Sequence, residues 1–308
     1  MAEPGGAGEG SRVTYLAYRG AAAIAQALPD SVGRGIARGA ARVKAVFAVD
    51  ERERVLRNQA RVRGPLHGWD AWRAVFATYD SYGRYWQELF RLPLDARHSL
   101  EERFEADGFE HIADPIAAGT GVILVLPHVG GWEFAGAWLA ARGYPPTVVV
   151  ERVEPAELFD WFVEVRAAMG MNVVALGPDA AATVARALRD NRVVCLLADR
   201  DLSGDGVEVS FFGEKTTLPA GPATLALRTG APLVPVAVYF RPRGHHLARI
   251  GPPLPCGRTG RLRDDVGRIT QDLAHRFEEL IRAAPEQWHL MQPNWPSDRE
   301  TDTARSAP

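Results

Sequence analysis

The stretch Gly121-Val122-Ile123-Leu124-Val125-Leu126-Pro127-His128-Val129-Gly130-Gly131-Trp132-Glu133 decides how the chain is read. Its first six residues are apolar without polar alternation, as expected of a strand covered on both faces. Proline stops the run, and a histidine and two glycines follow. From Trp132 the pattern is that of a helix reaching about residue 141. Similar apolar runs recur at 147–150, 172–176, 193–198 and 233–239, with helical segments near 132–141, 156–169, 180–190 and 220–228. Strand and helix in alternation predict an α/β fold: a mainly parallel central sheet covered by helices on both faces. Ligands of such sheets bind beyond the C-terminal strand ends. His128 stands at one of those ends.

Upstream of this core the chain is helical in pattern. Residues 13–48 read as two helices broken at Pro29-Asp30-Ser31, and residues 69–92 as a third, rich in aromatics at spacings of three and four. That spacing is the mark of core packing. In the second helix Arg34, Arg38 and Arg42 recur every fourth residue, opposite a thin apolar side of Ile36, Val43 and Phe47. Residues 1–68 carry eleven Lys and Arg against six Asp and Glu, while the whole chain is near neutral at −2. A basic end points to an anionic partner. The expected organisation is a disordered 1–12, an N-terminal helical membrane-associating region at 13–95, an α/β core at 96–296 and a disordered tail at 297–308.

Several function classes lose weight. No Gly-x-Gly-x-x-Gly follows the first strand, and P-loop and Gly-x-Ser-x-Gly elbow are both missing. His245-His246 has no acidic neighbour, so no metal site is expected. The arginine-rich start is followed by no nucleic-acid-binding module, so no nucleic acid partner is expected. No apolar run approaches the roughly twenty residues of a membrane span. Cys195 lies in an apolar run and reads as a buried, inert thiol. With Cys256 as the only other cysteine, a reducing cytosol is the expected compartment.

The candidate chemistry centres on His128. A neutral imidazole near pH 7 suits removal of a proton from a poor hydroxyl nucleophile. Gly130 and Gly131 allow close backbone approach to a substrate, and the following helix start offers N–H groups for an oxyanion or phosphate. Glu133 completes a His-x4-Glu pattern. On an ideal helix five positions turn it about 140° away from the histidine, so it reaches the ring only if His128 precedes the helix. Asp199 closes another apolar strand at the same sheet edge and is the rival partner. Glu151 ends a strand and Arg166 sits on the next helix. Each faces the cleft or forms a surface ion pair.

These blocks resemble a known family. His-x4-Asp/Glu after a strand is the motif of the lysophospholipid-acyltransferase group. Leu126-Pro127-His128-Val129-Gly130-Gly131-Trp132-Glu133 looks like its branch of lipid A lauroyl/myristoyl and phosphatidylinositol mannoside acyltransferases. Leu196-Leu197-Ala198-Asp199-Arg200-Asp201-Leu202, Val209-Ser210-Phe211-Phe212-Gly213-Glu214 and Leu218-Pro219-Ala220-Gly221 match as well. The resemblance spans about residues 13–295, and Asp199-Arg200-Asp201-Leu202 favours the mannoside branch. It implies an enzyme with an apolar tunnel, taking a palmitoyl-like group from acyl-CoA, with acyl carrier protein as the alternative donor. It further implies a membrane glycolipid acceptor, no cofactor, and a peripheral seat on an anionic membrane surface, at the cytoplasmic face of the cell membrane. His128 would be the base and the motif carboxylate Glu133 its partner, with Asp199 as the rival, and Arg166, Glu151, Gly130, Gly131 and Arg200 binding substrate. Acylation of another lysophospholipid or lipid A-like glycolipid, or a non-catalytic lipid-binding module, are the alternative readings.

Overall fold

The computed structural model describes residues 6–94, 97–202 and 204–298. Four helices open the chain: α1 (Gly6–Ala27), α2 (Asp30–Phe47), α3 (Val49–Arg63) and α4 (Gly68–Arg91). There follow α5 (Arg97–Glu102), β1 (Phe104–Asp107), α6 (Glu110–Ala117), β2 (Val122–Leu126), α7 (Trp132–Ala141) and β3 (Thr147–Val150). The alternation continues through α8 (Ala156–Ala168), β4 (Asn172–Ala175), α9 (Ala180–Arg189) and β5 (Val193–Leu197). A hairpin of β6 (Val207–Phe211) and β7 (Glu214–Leu218) precedes α10 (Gly221–Thr229), β8 (Leu233–Phe240), β9 (His246–Ile250) and α11 (Leu262–Arg282).

Seven strands form one sheet in the order β1-β9-β8-β2-β5-β3-β4. All neighbours run parallel except β8 and β9. The strand opened by Val122 lies at the centre, every residue of it buried. Its pleat splits the core. Ile123 and Val125 join α9, α10 and α11 on one face, while Leu124 and Leu126 join α4, α7 and α8 on the other. Burial of both faces is why this run lacks polar alternation. The expected mainly parallel, helix-covered sheet is therefore present.

Other features differ from expectation. The strands β1 and β9, the hairpin and the helices α3 and α11 add to the elements expected, and α11 buries Val266, Ile269, Leu273, Phe277 and Ile281 at helical spacing. Of the residues expected to be disordered, 1–5 and 299–308 lie outside the described residues, and α1 begins at Gly6. Asp298, in the expected tail, is buried and pairs with Arg57 and Arg61 of α3 at 3.0 Å each. The arginine stripe of α2 runs along the outer edge of its seam with α4. Arg38 and Arg42 converge on Asp80 of α4 at 2.8 and 2.7 Å, and Arg34 pairs with Asp30. The stripe joins two helices and is not an open cationic face.

Candidate active site

The register of the sheet builds the site. Strands β2 and β5 run side by side with Leu126 opposite Leu197. Two residues further on, their continuations bring His128 level with Asp199. His128 Nδ1 lies 2.6 Å from Asp199 Oδ1, and the backbone N–H of His128 donates to Asp199 Oδ2 at 3.0 Å. The indole N–H of Trp288 donates to the same Oδ2 at 2.8 Å. A carboxylate can only accept, so Nδ1 carries the proton and the Nε2 lone pair is left free. Asp199 is fully buried. Burial alone would raise its pKa, but His128, the indole and the backbone N–H outweigh it and hold the carboxyl below its ordinary range. A charged carboxylate at the back of a half-exposed imidazole is the arrangement that orients a general base and stabilises its protonated form.

Glu133 does something else. It is buried in the first turn of α7, where Arg166 of α8 pairs with it and the Tyr85 hydroxyl donates to it at 3.4 Å. Burial disfavours the charge of Arg166, but the neighbouring Glu133 carboxylate more than compensates and raises its pKa. Burial, reinforced by Glu133, pushes the Tyr85 phenol well above its usual value. The motif carboxylate thus ties α7 to α8 and α4, and Asp199 holds the histidine. Removing one partner of a buried ion pair strands the other charge, at a cost of about 3–5 kcal/mol. Arg166→Met is expected to lower unfolding stability by that amount in urea titration. An unchanged midpoint would show that Glu133 finds another partner.

The two glycines have a different role from the one expected. Gly130 has φ +62°, and a Cβ there would meet the carbonyl oxygen of Val238 at 2.0 Å. A Cβ on Gly131 would stand 2.7 Å from the ring of His246. Their N–H groups donate to the carbonyls of Gln287 and Val238, at 2.9 and 3.0 Å. Both glycines are buried, lie outside the cavity wall and have no free N–H for an oxyanion. They let the loop pass against the sheet and aim His128.

His128 borders a cavity of about 730 Å³. Its wall is largely apolar, drawn from Leu124, Leu126, Trp138, Met171, Val236 and Ile250 among others. The aromatic helix α4 contributes Tyr82, Tyr85, Trp86 and Leu89 to this wall, so those residues do more than fill a core. The β3–β5 ladder stops at Val148 and Cys195, and wall residues come from both strands beyond that point. Burial pushes the Cys195 thiol up to about 12, in keeping with an inert wall residue. Arg166, Glu151 and Arg200 all line the cavity, and Arg200 bonds Glu151 at 2.8 Å. Glu151 and Arg166 thus both border the cavity and are both paired, Arg166 in a buried ion pair with Glu133 and not in a surface one.

A third contribution has no counterpart in the sequence reading. After α11 the chain returns along the site. The backbone N–H of His289 donates to the carbonyl of His128 at 2.8 Å, and Asn294 Nδ2 donates to the Asp199 carbonyl at 3.1 Å. The His289 ring accepts or donates at Ser81 Oγ, 2.8 Å away. Burial first, then the adjacent His128, pushes His289 down to about 3, so it is neutral at pH 7. The only hint in sequence is a cluster of Trp288, His289, Asn294 and Trp295 without helical or strand periodicity.

A mainly parallel sheet with a His–Asp pair at a C-terminal strand edge, beside a largely apolar cavity, fits an enzyme that handles an acyl chain. The chain belongs to the bacterial lipid A biosynthesis acyltransferase family, whose model matches residues 11–297, and it is an acyltransferase. It is 39% identical over 292 residues to the phosphatidylinositol mannoside acyltransferase of Mycolicibacterium smegmatis, covering 94% of this chain and 93% of that one. Its identity to the phosphatidylinositol mannoside acyltransferase of Mycobacterium tuberculosis is 41% over 251 residues, 80% of this chain and 78% of the relative. A lipid A biosynthesis acyltransferase of Haemophilus influenzae is 25% identical over 200 residues, 64% of this chain and 60% of the other.

Proposed function

We propose that this acyltransferase moves a palmitoyl-like group from acyl-CoA to a mannose hydroxyl of phosphatidylinositol mannoside, with His128 as general base. The observation that carries the mechanism is the 2.6 Å contact of His128 Nδ1 with Asp199 beside the apolar cavity. Nε2 takes the proton of the acceptor hydroxyl as its oxygen attacks the thioester carbonyl. Collapse of the tetrahedral intermediate forms the C–O ester bond and breaks the C–S bond. The thiolate of CoA then leaves with the proton that Nε2 has held. Asp199 stabilises the imidazolium between the two transfers. These steps involve acyl and proton transfer alone, so no cofactor is invoked beyond the donor itself.

The apolar wall suits the acyl chain, since its burial is favourable at about 0.8 kcal/mol per CH₂. The Arg200–Glu151 and Arg166–Glu133 pairs are the polar groups offered to the donor or the acceptor head group. The enzyme works at the cytoplasmic face of the cell membrane as a peripheral protein, where an amphiphilic acceptor is held. Its two closer relatives are named for the mannoside substrate, which favours that acceptor over a lysophospholipid or lipid A precursor.

The test is direct. Purified protein is incubated with palmitoyl-CoA and a panel of phosphatidylinositol mannoside, lysophospholipid and lipid A precursor acceptors, and the products are identified by mass spectrometry. Acylated phosphatidylinositol mannoside is the expected main product. Exclusive acylation of a lysophospholipid or lipid A precursor would replace the acceptor, and transfer only from acyl carrier protein would replace the donor.

A further inference from the structure

His246 has no acidic neighbour in sequence, yet the fold gives it one. Its ring is buried at the start of β9, and Nε2 lies 2.8 Å from Glu88 Oε2 of α4. Arg84, one turn earlier on α4, donates from Nε to the other oxygen of Glu88 at 2.7 Å. Its Nη1 and Nη2 groups donate to the carbonyls of Arg241 and His245 at 2.8 and 3.2 Å, and the guanidinium lies 4.2 Å from the centre of the Phe240 ring. Burial alone would raise the Glu88 pKa, but the bond from His246 and the neighbouring Arg84 outweigh it and keep the carboxyl charged. A carboxylate only accepts, so Nε2 carries the ring proton. Nδ1 is then a buried acceptor without a partner among the described residues.

The ring is wedged against the loop that carries His128. Phe134, in the first turn of α7, stacks on it at 4.0 Å. A Cβ on Gly131 would stand 2.7 Å from the His246 ring and 3.0 Å from Cε1 of Phe240. Both walls against Gly131 are therefore held by α4, His246 through Glu88 and Phe240 beneath Arg84. An apolar side chain would fill this space without an unpartnered nitrogen, and exchanging a buried polar pair for apolar groups is often neutral or stabilising. Stability alone does not explain the histidine. Orientation does, because the bond to Glu88 fixes the rotation of the ring and with it the wall that Gly131 meets.

We infer that the Arg84–Glu88–His246 chain holds Gly131 and through it sets the place of the His128 ring, so that His246 is a positioning residue for proton transfer. Gly131 follows His128 by three residues, and the N–H groups of Gly130 and Gly131 are already anchored to Gln287 and Val238. The loop is clamped between those carbonyls and the His246 ring. Displacing a reacting group by about 1 Å costs about a hundredfold in rate. The inference rests on His128 as the base of the proposed reaction.

Turnover and KM with palmitoyl-CoA and phosphatidylinositol mannoside, beside the unfolding midpoint in urea, test it on the full chain. His246→Leu keeps the space filled and removes the link to Glu88, which retains Arg84. It should unfold close to the parent, yet turn over about ten- to a hundredfold more slowly with KM for palmitoyl-CoA little changed. Gly131→Ala meets the same contact from the loop side. Its φ of −106° is one that L residues adopt, so the main obstacle is the His246 ring, and a similar loss of turnover is expected. In Gly131→Ala/His246→Ala the added methyl has room beside the shortened side chain, and the double variant should turn over faster than Gly131→Ala alone. Parental turnover in His246→Leu would overturn the inference. So would losses that multiply in the double variant, since residues that act independently add in free energy. His128→Ala, measured in parallel, separates the two readings. Parental turnover there removes the base itself, whereas a slow His128→Ala beside a fast His246→Leu rejects the positioning chain alone.

Discussion

His128→Ala is expected to reduce the turnover number for acyl transfer by about two to four orders of magnitude, the usual cost of losing a general base. The variant should still fold. Asp199 would lose the imidazole but keep the Trp288 indole N–H and the backbone N–H of residue 128, at 2.8 and 3.0 Å. Its carboxylate is fully buried, so the lost partner carries a stability penalty of about 1–3 kcal/mol. Acyl-CoA binding should change little, because the wall that would hold the chain is built mainly from the apolar residues of α4, α7 and the sheet. Single-turnover transfer together with equilibrium binding of acyl-CoA separates the two effects. Turnover near that of the parent would remove His128 from the mechanism.

How much of this site was legible in the sequence depended on range. The strand Val122–Leu126 and the helix from Trp132 are set by local pattern, and they place His128 at the sheet edge without any tertiary information. The partner of His128 is not local. Asp199 reaches it because β2 and β5 are neighbours in register, and strand order is not written in the periodicity of either strand. Glu133 lies five positions away in sequence, yet the turn at Gly130 and the helical start send it towards Arg166. The arginines of α2 show the same limit. Their spacing defines one face, but which face meets the body is decided by Gly83 and Asp80 on α4, some forty residues later. The returning segment at 285–298 is held by backbone and side-chain hydrogen bonds to distant strands, and such contacts leave no repeating pattern to read.

Asp199→Asn is expected to be nearly as damaging as loss of the base, for a reason visible in the hydrogen bonds. Both the indole N–H of Trp288 and the backbone N–H of His128 donate to Oδ2. In the asparagine variant that position must be taken by the amide oxygen, since the NH₂ group cannot accept. The NH₂ group then faces His128 Nδ1 and donates to it, which moves the ring proton to Nε2. The atom that must receive the hydroxyl proton is thereby protonated already. The variant also lacks the negative charge that stabilises the imidazolium. A turnover loss of about two to four orders of magnitude follows, with little change in fold or in acyl-CoA affinity. Glu133→Gln should cost less than about tenfold in turnover, because that carboxylate bonds Arg166 and Tyr85 and does not hold the His128 ring. Trp288→Phe keeps a smaller aromatic ring and removes one donor to Asp199, so its effect on turnover should fall between the two. Steady-state rates for the three variants, with unfolding midpoints as a control, give the order directly. A greater loss for Glu133→Gln than for Asp199→Asn would return the orienting role to the motif carboxylate and leave Asp199 as a support of the fold.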